Sequence, residues 1–133
     1  QEAAVAALEG PQDCVLQTVE IYRPRRDVLA RNLNAAGWPV QAPKAGMYLW
    51  ARLPETFRKT NSFAFAERLL LEEGVVVAPG TGFGPHGEGF VRFALVADEP
   101  RLEAAVERIG RFLKSARPPA ARKTGRTVLL QHG

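Results

Sequence analysis

Apolar residues fall in two rhythms along this chain, one of helices and one of strands. Val15, Val19, Tyr22, Leu29, Leu33 and Ala36 recur at spacings of 4, 3, 7, 4 and 3, the stripe that one face of a helix buries. Asp13 stands where an N-cap belongs, and Gly37 where a C-terminal glycine belongs. Asp27 lies four residues before Arg31 and is placed to pair with it. Pro24 falls inside the stripe; it removes a ladder bond and is expected to kink the helix or split it in two. Ahead of this helix, an Ala-rich stretch over residues 1–8 favours helix and is broken at Gly10-Pro11.

Residues 46–53 (GMYLWARL) alternate instead, with Met47, Leu49, Ala51 and Leu53 on one face and Tyr48, Trp50 and Arg52 on the other. A polar loop is expected over 55–61. Ser62 then caps a helix carrying Phe65, Ala66, Leu69 and Leu70, which stops near Gly74. Residues 75–78 read as a short buried strand, 79–89 as a loop with five glycines, and 90–96 as a strand. Asp98 caps a last helix that tolerates Pro100 in its first turn. Its core stripe is Leu102, Ala105, Val106, Ile109 and Leu113. This order predicts an α/β fold of the α+β sandwich kind: a small mixed or antiparallel sheet covered by helices.

The chain has 133 residues, 46% of them apolar, enough for one core. No apolar run approaches the roughly 20 residues of a membrane span, and residues 1–10 carry neither the basic nor the apolar region of a secretory signal. The lone Cys14 forms no intrachain disulfide and fits a reducing, cytoplasmic compartment. With only two histidines beside it, a zinc cluster is not expected. The net charge of +4 is carried by Arg117, Arg122, Lys123 and Arg126, so residues 1–114 balance. The basic excess sits in a Pro-containing tail over 115–133 that is expected to be mobile. Nucleic acid is therefore not an expected partner.

Several residues are candidates for chemistry. Gly82, Gly84 and Gly87 fit G-x-G-x-x-G. A strand pattern follows, however, where a dinucleotide site needs a helix. The glycines are read as turn formers. Cys14 is read as a core cysteine rather than a nucleophile paired with His86. Glu72, Glu73, Glu103 and Glu107 lie on predicted helices and read as solvated. Arg92 is the most informative residue. It interrupts a strand that is apolar on both faces, where a guanidinium is costly without an anionic partner. It either pairs with a distant Glu, or lies on an edge, or clamps a carboxylate or phosphate through two parallel hydrogen bonds.

Five segments, taken in order, resemble the small, C-terminal domain of class I/II pyridoxal-phosphate aminotransferases of fold type I. They are Tyr22-Arg-Pro-Arg-Arg-Asp27 with Leu33-Asn-Ala-Ala-Gly37; Pro43-Lys-Ala-Gly-Met-Tyr-Leu-Trp50; Gly74-Val-Val-Val-Ala-Pro-Gly80 with Phe83-Gly84; Gly87-Glu-Gly-Phe-Val-Arg92 with Ala94-Leu95; and the terminal helix from Leu102 to Leu113. The resemblance covers residues 1–114 and takes 1–36 to include the interdomain helix region. It implies transfer of an amino group between an amino acid and a 2-oxo acid, with pyridoxal 5'-phosphate as cofactor and a homodimer as the assembly. It implies that Arg92 binds the substrate carboxylate, that Tyr48 lines the substrate side, and that the loop at Gly80 permits movement of this domain.

The family's Schiff-base lysine motif does not surround Lys44, Lys59, Lys114 or Lys123. The resemblance therefore implies a partner, a large N-terminal domain, outside this sequence. It also implies that these residues alone do not catalyse and hold no covalent cofactor. The rival reading is a stand-alone, non-catalytic interaction or small-molecule-binding module.

Overall fold

The computed structural model describes residues 1–115; residues 116–133 of the tail expected to be mobile lie outside the described residues. Alternation over 46–53 becomes strand β1, Tyr48–Arg52, and the other strands are β2, Ala78–Pro79, and β3, Phe90–Ala94. The sheet order is β1-β3-β2, antiparallel throughout, with β3 in the centre. Leu49 faces Phe93 and Ala51 faces Val91 in the register, and all four are buried. Tyr48, Trp50 and Arg92 therefore point to the opposite face. Four helices complete the chain: α1, Glu2–Glu9; α2, Asp13–Ala35; α3, Ser62–Glu73; and α4, Glu99–Ser115. The expected fold class stands: one small antiparallel sheet with helices packed on its buried face. Helix α4 runs one residue past the expected domain limit of 114.

The core is more aromatic than the predicted stripes. Trp38, Phe65 and Phe112 are fully buried, and Phe57 nearly so. Phe57 stacks on Phe112 at 5.0 Å and meets the edge of Phe65 at 5.0 Å, while Trp38 meets Phe65 and Phe93 at 5.4 Å. Phe57 sits in a 3₁₀ turn, Glu55–Phe57, where a polar loop was expected. Gly37, at φ 87°, closes α2. Its N–H bonds to Asn34 and that of Trp38 to Leu33, the paired bonds that satisfy a helix's last carbonyls and turn Trp38 into the core.

Several expectations need correction. Pro24 does not split α2, which runs unbroken through it. Pro24 and Glu20 are both exposed, so water can reach the carbonyl deprived of its donor, which lowers the cost. Asp13 is the first helical residue and Gln12 the N-cap, without a side-chain bond. Asp27 pairs with its neighbour Arg26 at 2.7 Å rather than with Arg31. The start of the α2 stripe is not core: Val15 and Val19 are exposed, Tyr22 packs partly buried against the core, and full burial begins at Leu29. Residues 75–77 lie outside the sheet, with Val76 exposed, and the strand is confined to Ala78–Pro79. The stripe of α4 holds with Phe112 added, and Asp98 caps it by accepting from the Arg101 N–H. Cys14 is exposed, not core. Glu73 is mostly buried and pairs with Arg111 at 3.0 Å, tying the end of α3 to α4.

Candidate functional site

Because side chains alternate along β3, Val91 and Phe93 enter the core and Arg92 is left on the open face. Its register partner is Trp50 on one side and Ala78 on the other, so it lies on the central strand and not on an edge. The guanidinium carbon lies between two rings, 3.9 Å from the centre of Tyr48 and 4.1 Å from that of Phe83. Trp50 meets the edge of Phe83 at 5.5 Å and stacks on Phe90 at 5.9 Å. The result is a cation flanked by partly exposed aromatics on the open face of the sheet.

Ring contacts of this kind hold a guanidinium flat and cover its faces. No carboxylate among the described residues pairs with Arg92: the four ion pairs there use Arg26, Arg58, Arg68 and Arg111. Its Nε is buried and has no hydrogen-bond partner. That is the sort of unsatisfied donor folded proteins avoid, unless a ligand or water meets it. The distant-Glu and edge-strand readings of Arg92 thus have no counterpart in the described residues.

Gly80 stands at the start of the loop that brings Phe83 to Arg92. It opens a 3₁₀ turn, Gly80–Phe83, that is followed by a second, Pro85–Gly87. A Cβ on Gly80 would lie 1.9 Å from the Gly87 carbonyl oxygen, and one on Gly87 would lie 1.9 Å from that of Gly80. Two backbones cross here with no room for side chains. Gly80 is thus buried wall, while Tyr48 and Phe83 touch the guanidinium. The G-x-G-x-x-G stretch opens no α-helix, as expected.

Sequence reasoning missed Phe83 as a site residue, and it missed the loop's anchors. Ser62 does not cap α3. Asn61 does, accepting from the Ala64 N–H at 2.7 Å. Ser62 is instead fully buried, bonded to Thr81 and Glu88 of the glycine loop. Two cap-forming residues in a row were the available signal, since only one of them can occupy the cap.

The described lysines Lys44, Lys59 and Lys114 are all exposed. Lys44 and Lys114 each line a surface pocket, but none of the three lies in a Schiff-base lysine motif. What the described residues bring together is the Arg92 guanidinium, Tyr48 and Phe83. No helix among them is long and apolar enough to cross a membrane.

Comparisons with known proteins bear on the family. Residues 1–109 match the family model of aminotransferase class I and II. The chain is 50% identical over 109 residues to the glutamate-pyruvate aminotransferase AlaC of Escherichia coli, covering 82% of this chain and 26% of that protein. It is 40% identical over 113 residues to the LL-diaminopimelate aminotransferase of Moorella thermoacetica, covering 85% and 28%. Among solved structures, the aromatic aminotransferase of Pyrococcus horikoshii superposes with a TM-score of 0.71 at 36% identity, covering 77% of this chain and 27% of that one. The chain thus spans about a quarter of the length of the curated relatives it matches. Fold type I members of this family depend on pyridoxal phosphate. From residue 1 to residue 109, this chain belongs to the class I and II aminotransferase family.

Proposed function

We propose that these residues form the small, C-terminal domain of a pyridoxal-phosphate-dependent aminotransferase acting on an amino acid and a 2-oxo acid. In this reading Arg92 binds the substrate carboxylate. The observation that supports it best is the buried, unpartnered Nε of Arg92, held between Tyr48 and Phe83. A carboxylate meets the guanidinium in its plane through parallel charge-assisted bonds. The rings keep that plane fixed, so the bound carboxylate sets the direction of the substrate's Cα–H bond toward groups supplied by the rest of the enzyme. Tyr48 also bounds the substrate side, and Gly80 lets the loop close against Gly87. The catalytic lysine and the cofactor's own contacts belong to a large domain outside this sequence, and these residues alone are inactive. The assembly is a homodimer, and the exposed free Cys14 suits a reducing, cytoplasmic setting.

The test is Arg92→Lys in the complete enzyme. Lysine keeps the charge but loses the fork. Each charge-assisted bond contributes about 1.5–3 kcal/mol, so kcat/KM for an amino acid should fall at least ~10-fold. The amine lacking the carboxylate never used the clamp and should change little. An equal fall for both substrates would make Arg92 structural.

A further inference from the structure

Glu88 takes no part in the carboxylate clamp, yet its side chain sits where the glycine loop meets the start of α3. One oxygen, Oε1, accepts from the backbone N–H groups of Ser62 and Gly89, each at 2.7 Å. Ser62 is the first helical residue of α3 and is fully buried. A carboxylate at a helix N-terminus is also favoured by the partial positive charge there. The Ser62 hydroxyl accepts from the Thr81 N–H at 3.3 Å and lies within donating distance of Glu88 Oε2 at 3.4 Å. Thr81 and Glu88 bracket the six residues 82–87, so both ends of that segment are tied to one buried serine.

The segment so held carries Phe83. Phe83 is half exposed and is no part of the core. What places its ring 4.1 Å from the Arg92 guanidinium is the edge of Trp50 and the path of the loop. If the loop moves, one of the two faces that fix the guanidinium plane is lost.

We propose that Glu88 is a positioning residue that latches the glycine loop to α3 through Ser62, and thereby sets the geometry of Arg92. The proposal rests on the reading of Arg92 as the carboxylate clamp. Its chemistry makes a sharp distinction. Both short bonds converge on a single oxygen of Glu88. A neutral glutamine offers that oxygen too, and its amide N–H₂ meets the serine hydroxyl. A latch made of hydrogen bonds therefore survives Glu88→Gln and fails in Glu88→Ala. A residue needed for its charge would fail in both.

The experiment uses the complete, cofactor-loaded enzyme. Amide hydrogen exchange over residues 80–89 is measured alongside kinetics with an amino acid and its decarboxylated amine. In Glu88→Ala, exchange over 81–87 should rise about 10-fold or more, with β1 and α4 protection unchanged. KM for the amino acid should rise about 10-fold, with kcat within about 3-fold and the amine unaffected. Glu88→Gln should stay within about 3-fold of the parent in every reading. Should Glu88→Ala not fold, Ser62→Ala removes only the hydroxyl and should give the same pattern at lower amplitude. Unchanged loop exchange in the alanine variants, a glutamine variant as impaired as alanine, or equal losses for acid and amine would each overturn the latch. Arg92→Lys is run in parallel. An unchanged acid-to-amine ratio there overturns the clamp and the latch together, whereas a changed ratio beside a failed Glu88 series overturns the latch alone.

Discussion

Arg92 is legible from sequence as an anomaly, a charge in a strand of apolar residues, and alternation along residues 46–53 correctly put Tyr48 and Trp50 on one face. What sequence did not show was which face of β3 stays open. Phe90, Val91, Phe93 and Ala94 are all apolar, and only the register with β1 decides that Val91 and Phe93 are buried. The resemblance pointed to Gly80 among five loop glycines, but not to its close crossing with Gly87. That crossing predicts unequal consequences. In Gly80→Ala the new Cβ meets backbone at 1.9 Å, and no rotamer relieves a backbone clash. Stability in a denaturant titration should fall by about 1–3 kcal/mol, as for overpacked sites. A Cβ on Gly82 meets nothing within 4 Å and its φ is not positive. Gly82→Ala should therefore be neutral, or stabilising by roughly 0.4–1 kcal/mol through the unfolded chain. Equal effects at the two positions would remove the close-contact argument.

Among the elements, the ones read best from sequence were those whose signal is local. Asp98 and the stripe of α4 are of this kind, as is the glycine stop of α2. Those read worst depend on a partner far along the chain. Ser62 left the cap to Asn61, its hydroxyl being engaged by Thr81 and Glu88, 19 and 26 positions away. Phe57 looked like part of a polar loop because its neighbours are polar, yet Phe65 and Phe112 receive its ring. At Pro24, where a kink or a split was expected, the split does not occur, since α2 runs unbroken through it. Proline in a helix interior remains about 3 kcal/mol less favourable than alanine. Pro24→Ala restores the donor to the Glu20 carbonyl without disturbing the core, since Pro24 is exposed. The expected result is higher far-ultraviolet helicity and slower amide exchange over residues 18–25. Unchanged exchange there would mean that this half of α2 is not held as helix.

At the scale of the molecule, packing is uneven from end to end. The sheet, the second half of α2, α3 and α4 share one core, whereas α1 buries no residue at all. Leu8 is 81% exposed and Leu16 65%, and Val5, Val15 and Ile21 are each about half exposed. Such an apolar arm is costly in water and marks a surface that other chain covers. In the proposed complete enzyme that cover is the large domain. Made on its own, the 133-residue chain keeps the arm and has little charge to oppose contact, because residues 1–114 balance and the surplus lies at 117–126. The chain alone should therefore self-associate in a concentration-dependent way and bind a hydrophobic dye. The double substitution Leu16→Glu, Ile21→Glu places two like charges on the exposed arm and touches no core residue. It should shift the sedimentation profile toward monomer and reduce dye binding while leaving thermal unfolding of the core unchanged. A parent chain that sediments as a monomer at every concentration and binds no dye would show that the arm needs no cover. The large domain would then have to contact these residues elsewhere, through the open face of the sheet around Trp50 and Phe83.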